Sequence, residues 1–286
     1  MKKFKSILIS FFILLLSLSL KAQYNYSDYT NNLFSGNYKK TANILLHLRK
    51  TSKNSIKIHF AFADFYYIMF ETTGGMEIYN GLCKKEADYI IKVLRKKEHL
   101  TETEIFYLVS AKALVLKIQL ERKHFLKVAK EFKSIMKQLV YAKNHPSNPL
   151  LRLVAGMYNY HIEQAGLDHP IVSPILLFFP SGNKTKGLSL LKQCTKFKDV
   201  YIKISAFIFL SRIYDNKEHD FNKAQYYHLQ LLKRYPNNIH WLKNYIFTLK
   251  RFKKYTEAKI QKNRLLKLID KNPQLTNSQR TYLKSI

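Results

Sequence analysis

The chain is poor in acidic residues, cysteine, glycine and tryptophan. Its 286 residues include 49 Lys and Arg against 19 Asp and Glu, with 8 Gly, 2 Cys and 1 Trp. Two cysteines exclude a disulfide framework and a zinc site with four cysteine ligands. Cys83 and Cys194 fall in different predicted hairpins, so two separate buried thiols are favoured over a single bridge.

Motifs for catalysis and nucleotide binding are also missing. The ten histidines include no His-Glu-x-x-His pair, and no Gly-x-Ser-x-Gly is present. Residues 182–187 imitate a phosphate loop, but Leu188-Ser189 stands where that motif has Lys-Ser/Thr. We therefore expect no catalysis, cofactor, metal or nucleotide, and an enzyme built on helical hairpins remains an alternative because catalytic residues can lie far apart in sequence.

The first 22 residues resemble a secretory signal peptide. Met1-Lys-Lys-Phe-Lys5 is basic, the following stretch to Leu20 is apolar apart from Ser, and Lys21-Ala22-Gln23 follows. The apolar run is shorter than the roughly 20 residues that span a bilayer. The sequence predicts cleavage after Ala22 and export to the periplasm or cell envelope of a bacterium, with a retained signal anchor as the alternative.

The positive charge has two interpretations. The formal net charge of the chain is +30, and removal of the four lysines in residues 1–22 leaves +26. Such a protein is attracted to anionic lipid or polysaccharide. Abundant Lys, Asn, Ile, Tyr and Phe would equally follow from A+T-rich coding DNA. Nucleic acid is not an expected partner, because the chain is predicted to be exported and carries no nucleic-acid-binding motif.

The apolar pattern predicts an all-α protein. Apolar residues recur at spacings of three and four, and no stretch alternates with period two for long enough to form a sheet. Thr101-Glu-Thr-Glu104 has the spacing of a capping box. The predicted helices form six hairpins and a terminal helix, over residues 24–34, 38–48, 55–71, 84–94, 101–122, 125–141, 150–164, 187–194, 200–214, 221–235, 241–252, 256–269 and 277–286.

Small residues recur early in the second helix of each predicted pair, where they allow the first helix to approach closely. The series is Ala42, Ala87, Ala129, Gly187, Ala224 and Ala258, and its last interval is 34 residues, the tetratricopeptide period. Leu210-Ser-Arg-Ile-Tyr214, Phe221-Asn-Lys-Ala224, Leu231 and Pro236-Asn-Asn238 fit that pattern, with one extra residue in the turn. Tyr255-Thr-Glu-Ala258 continues it. Over residues 205–270 the chain resembles the tetratricopeptide-repeat (TPR) family, which implies a right-handed α-solenoid over residues 23–286.

The central residues 150–194 carry a second resemblance. A Leu-rich helix with Gly156-Met-Tyr-Asn-Tyr160 precedes a Pro-interrupted apolar loop over residues 165–186 and then Ser181-Gly-Asn-Lys-Thr-Lys-Gly-Leu188. This arrangement resembles the long-loop hairpin of TPR proteins related to the mitochondrial outer-membrane inheritance group. That resemblance implies a scaffold without catalysis, and it assigns no role to any residue.

Two features predict where a protein or peptide partner binds. A polar stripe on one helix face includes Gly156, and the loop contains the apolar run 175–179, which is too apolar to remain in water. We expect the loop to pack over its own hairpin or the next one, covering part of a concave face. The alternatives are an ordinary solvated helix face and a loop that only covers a core edge. The predicted partner-binding residues are Arg152, Asn159, Glu163, Leu176, Phe178 and Phe179. The sequence makes no prediction of the oligomeric state.

Overall fold

A computed structural model describes residues 25–121, 133–168, 179–273 and 275–286. Within these residues the chain is all-α, with no strand. None of the described helices is long and apolar enough to cross a bilayer. The helices are α1 (Tyr26–Ser35), α2 (Tyr38–Thr51), α3 (Ile56–Thr72), α4 (Glu77–Leu94), α5 (Glu102–Glu121), α6 (Met136–Asn144), α7 (Pro149–Asp168), α8 (Lys184–Cys194), α9 (Val200–Asn216), α10 (Phe221–Arg234), α11 (Ile239–Arg251), α12 (Tyr255–Lys271) and α13 (Asn277–Lys284). The prediction of an all-α fold is confirmed.

Helix starts follow local capping chemistry. The predicted capping box is present, since Glu104 N donates to Thr101 Oγ1 at 3.3 Å and Thr101 N donates to Glu104 Oε2 at 3.0 Å. Asp220 and Asn238 cap α10 and α11 through their side-chain oxygens. These short polar residues satisfy amide groups that have no partner within the helix.

The start predicted for α4 was wrong. The sequence placed a turn over residues 72–81 and a helix from Lys84, whereas α4 begins at Glu77. Gly74 and Gly75 alone provide the left-handed backbone of the turn, with φ of 74° and 93°. Gly81 lies inside the helix, and a Cβ added there would meet nothing within 4 Å. A glycine in such an open position reduces helix propensity without ending the helix.

Successive helices pack against each other along the chain. Ala87, Ala224 and Ala258 are buried at these contacts. The closest approach joins α7 and α8, where a Cβ at Gly187 would lie 2.6 Å from Tyr160 N and 2.8 Å from Gly156 O. Ala42 is half-buried, and Ala129 lies outside the described residues. Small side chains therefore set the helix separation at several of the positions that the sequence predicted.

The first and last parts of the described chain also contact each other. Helix α1 packs on α9, and α13 packs on α3. Gln279 Nε2 on α13 donates to Thr72 Oγ1 at 3.2 Å. The sequence analysis did not predict this contact, because each of its inferences came from neighbouring segments.

Both cysteines are buried free thiols, as predicted. Burial raises the pKa of Cys83 and of Cys194 to about 12. A thiol with so high a pKa is a poor nucleophile at neutral pH.

Candidate functional site

Three adjoining cavities lie along α9, and we call them together the α9 groove. The apolar cavity, of about 510 Å³, lies between α5, α7 and α9. The aromatic cavity, of about 260 Å³, lies between α3, α5, α9 and α11. The polar cavity, of about 220 Å³, lies where α9, α10 and α11 meet. Ser110, Ala113, Tyr201, Ser205 and Phe209 line both the apolar and the aromatic cavity, so these two cavities adjoin.

The aromatic cavity is walled by rings from four helices. The Phe34 ring centroid lies 5.9 Å from that of Tyr201 and 6.5 Å from that of Trp241. The Phe60 and Tyr201 centroids are 5.9 Å apart. Since these rings come from distant parts of the sequence, the cavity exists only in the folded chain.

Asp64 lies in the wall of this aromatic cavity. The Tyr29 hydroxyl is within hydrogen-bonding distance of both Ala61 O (3.1 Å) and Asp64 Oδ2 (3.3 Å). Burial raises the pKa of Asp64 to about 7, and the contact with Tyr29 acts in the opposite direction. Among the described residues no Lys, Arg or His forms an ion pair with Asp64.

Basic side chains surround Glu71, two turns further along α3. Lys117 Nζ lies 2.8 Å from Glu71 Oε1, and Arg212 Nη2 lies 3.6 Å from Glu71 Oε2. Lys243 Nζ donates to the main-chain oxygen of Glu71 at 2.8 Å. Burial lowers the pKa of Lys243 to about 8, although the Glu71 carboxylate opposes this shift. This end of the groove therefore carries more basic than acidic groups.

The polar cavity contains a buried hydrogen-bond network. Thr248 Oγ1 donates to Asp215 Oδ2 and lies next to His228 Nε2, each at 2.9 Å. Arg251 Nη1 is 3.2 Å from Asp215 Oδ1. Burial lowers the pKa of His228 to about 4 and raises that of Asp215, so the native state favours a neutral imidazole.

The predicted polar stripe lies on a face of α7 that is turned away from the α9 groove. Its side chains make hydrogen bonds to nearby main-chain groups. Arg152 Nε donates to Pro146 O at 2.7 Å, and Glu163 Oε2 accepts from Lys184 N at 2.8 Å. Asn159 is buried, and its Nδ2 donates to Ala155 O at 2.8 Å. None of these three side chains lines the α9 groove. The other face of α7, which includes Val154, lines the apolar cavity.

The loop prediction falls mainly outside the described residues, which exclude Leu176 and Phe178. At the described end of the loop, Pro180 O accepts from the Tyr158 hydroxyl at 2.7 Å and Ser181 O accepts from Lys143 Nζ at 2.7 Å. Phe179 is partly buried there. The end of the loop thus contacts α6 and α7, and the partner-binding role of the loop stays a prediction.

Among the described residues, no group of three or more His, Cys, Asp or Glu side chains could hold a metal ion. In this all-α protein, the cavities along α9 form a concave surface whose larger part is apolar. No family model matches the chain, and no curated protein matches it.

The sequence analysis missed the groove residues, although two signals were present. Asp64 is the only acidic residue in the apolar stretch 56–70. Helix α9 is apolar on nearly all sides, as expected of a helix that packs on several others. An isolated acid in an apolar helix and a helix without a polar face together indicate an internal cavity.

Proposed function

We propose that the chain is an exported tetratricopeptide-like scaffold that binds a protein or peptide partner in the α9 groove, without catalysis of its own. The observation that carries this proposal is that the apolar and aromatic cavities adjoin and share lining residues on α5 and α9. Ligand sites are typically concave and mostly apolar, with a few polar groups that fix orientation. Glu71 and the basic side chains around it would supply those groups.

The proposed architecture is a right-handed solenoid of about six hairpins with a terminal helix. Packing between successive helices and the buried small residues on α4, α10 and α12 support it, whereas the contacts of α1 with α9 and of α13 with α3 depart from an open solenoid. In stacked hairpins, the first helix of each pair faces the inner surface. The first helices here would be α1, α3, α5, α7, α9 and α11, and each of these contributes to the α9 groove.

Ala113 offers a direct test of the groove. It is exposed and lines both the apolar and the aromatic cavity, so Ala113→Gln should narrow the groove and change stability by less than about 0.5 kcal/mol. We expect an affinity pull-down from envelope extract to lose its bound protein with this variant. Ile260→Gln, on an exposed position of α12 away from the groove, is the matched control. Equal capture by wild type and A113Q would refute the groove as the binding site.

The competing function is a polybasic factor that contacts anionic lipid or polysaccharide. Its support is the net charge of +30. Salt screens contacts between exposed charges and so weakens binding through a polybasic surface. A groove complex anchored by aromatic and aliphatic side chains should keep its affinity at high salt. Pull-downs washed at low and at high salt separate the two functions. Release of the bound material at high salt from both wild type and A113Q would favour the polybasic surface.

Export is tested by the N-terminus of the natural protein. We expect the mature chain to begin at Gln23 and to be found outside the cytoplasm. N-terminal sequencing of protein from the native host checks this. Recovery of Met1 on a membrane-bound chain would support the signal anchor instead.

The role of the loop is tested by replacing Leu176 to Phe179 with Ser and Gly. Loss of partner binding at an unchanged melting temperature supports a binding role. A large fall in melting temperature with binding intact supports a loop that only covers the core.

A further inference from the structure

Asp64, in the wall of the aromatic cavity, has no counter-ion among the residues that the structure describes. The described Lys and Arg residues form no ion pair with it, although the chain carries 49 Lys and Arg. It is partly exposed, and the surface it exposes lines the cavity. A carboxylate held among aromatic rings is poorly solvated and is stabilised by a cation that can reach it.

The Lys and Arg side chains that line the same cavity form ion pairs with a different acid. Lys117 and Arg212 both pair with Glu71. Asp64 and Glu71 are seven residues apart on one helix, which corresponds to about 10 Å along its axis. The cavity therefore has a basic end near Glu71 and a separate end where Asp64 is the only acid among the described lining residues.

The walls of the aromatic cavity suit an organic cation. Its lining includes Phe34, Phe60, Tyr201 and Trp241, and the π electrons of aromatic rings attract a cation. The volume of about 260 Å³ lies just below the usual range of about 300 to 1,000 Å³ for small-molecule sites. It is large enough for one alkylammonium group and too small for a large cofactor.

We propose that the aromatic cavity binds an alkylammonium group, with Asp64 as its counter-ion and the rings of Phe34, Phe60, Tyr201 and Trp241 as its walls. The group is either a free small cation or a lysine side chain of a bound peptide. This inference goes beyond the proposed function, because a free cation can bind whether or not a partner occupies the groove.

Binding should depend on pH through Asp64. Its pKa of about 7 in the empty cavity means that it gains its charge between pH 5.5 and 8.5. Burial keeps the neighbouring phenols and the Cys83 thiol neutral in this range by raising their pKa values, and it keeps His240 neutral by lowering its pKa. The groups that face Asp64 or line the cavity with it are Tyr26, Tyr29, Tyr67, Cys83, Tyr107, Lys117, Tyr201, Arg212 and His240.

The single tryptophan of the chain, Trp241, lines the cavity and reports its occupancy. We would titrate n-butylammonium and tetramethylammonium into the protein at constant ionic strength and follow tryptophan fluorescence, with n-butanol as the neutral analogue. We expect a saturable response to the cations, with affinity at pH 8.5 at least about tenfold higher than at pH 5.5, because a carboxylate with pKa near 7 is mostly protonated at the lower pH.

Asp64→Asn removes the charge and keeps the shape, and it should weaken cation binding about tenfold or more. Asp88→Asn is the matched control, since it makes the same charge change at an exposed residue of α4 that pairs with Lys84. If D64N shows no cooperative unfolding, it is not folded and its binding cannot be compared. The pH dependence of cation binding by the wild type then tests the role of Asp64. The absence of a saturable response, an equal response to n-butanol, or pH-independent binding overturns the proposal.

A second titration identifies the source of the cation. A short peptide that contains lysine is compared with the same peptide carrying norleucine. Tighter binding of the lysine peptide than of n-butylammonium assigns the cavity to a side chain of a partner. Equal or weaker binding assigns it to a free cation, and a response to neither overturns the proposal.

Discussion

The side-chain amide of Asn238 donates to the main-chain oxygen of Phe34 at 2.8 Å, although 204 residues separate the two in sequence. The same oxygen accepts from Trp241 Nε1 at 3.1 Å. Phe34 lies in the last turn of α1, where carbonyl groups lack a partner within the helix. The start of α11 therefore supplies two hydrogen-bond donors to a carbonyl at the end of α1. These bonds connect an early helix of the chain to a late one.

Asn238→Ala should lower the free energy of unfolding by about 2 to 3 kcal/mol. It removes the cap of α11, where Asn238 Oδ1 accepts from Trp241 N at 3.1 Å, and it also removes one donor to a buried carbonyl. Urea unfolding followed by circular dichroism measures the change. The exposed neighbour Asn237 is the control, and N237A should have little effect. A similar loss from both variants would contradict a specific role for the Asn238 contact.

Gly187→Ala should destabilise the protein by more than about 3 kcal/mol. Its Cβ would lie 2.6 Å from Tyr160 N and 2.8 Å from Gly156 O, which are backbone atoms that can move only if α7 and α8 separate. Gly81→Ala is the matched control inside α4, because its Cβ meets nothing. G81A should stabilise the protein by about 0.5 to 1 kcal/mol through helix propensity. Thermal unfolding of both variants tests whether close contact sets the α7–α8 distance.

Ala224→Leu and Ala258→Leu should each cost about 1 to 3 kcal/mol, because a larger side chain overfills a buried helix contact. The exposed Lys233 and Lys259 lie on the same two helices. Changing either lysine to Gln should cost less than about 0.5 kcal/mol. Chemical unfolding measures the change in the free energy of unfolding for the four variants. Equal losses from the two alanine changes and the two lysine changes would show that the repeat register is wrong.

The buried His228 should make the protein less stable in acid. Burial lowers its pKa from 6.5 to about 4 in the native state. Its contribution to stability is therefore complete above pH 6.5 and is lost as the pH falls towards 4, because the unfolded chain binds the proton first. At pH 5 the loss should be roughly 2 kcal/mol.

Measuring the free energy of unfolding between pH 7 and pH 5 tests this expectation. His228→Gln should reduce the pH dependence, and part should remain because burial also lowers the pKa of His240. His99→Gln changes an exposed histidine and serves as the control. An unchanged slope in H228Q would show that His228 does not couple to acid unfolding.

The sequence by itself determined the all-α class and most helix positions. Apolar spacing of three and four placed the helices, and the Thr101–Glu104 capping box placed the start of α5, because both signals lie within one or two turns of the chain. The same local reasoning failed at α4, where Gly81 resembled a turn signal but lies in open space within a helix.

Only the tertiary structure decided what the polar residues do. Asn159 and Glu163 have the spacing of an exposed stripe, yet the buried Asn159 amide donates to Ala155 O within α7 and the Glu163 carboxylate accepts from Lys184 N at the start of α8. The cavity beside Asp64 is completed by α9 and α11, which lie more than a hundred residues away in sequence, and the acceptor for Asn238 lies on α1. Helical periodicity specifies which face of a helix is apolar, whereas the partner that covers this face depends on how distant helices pack together.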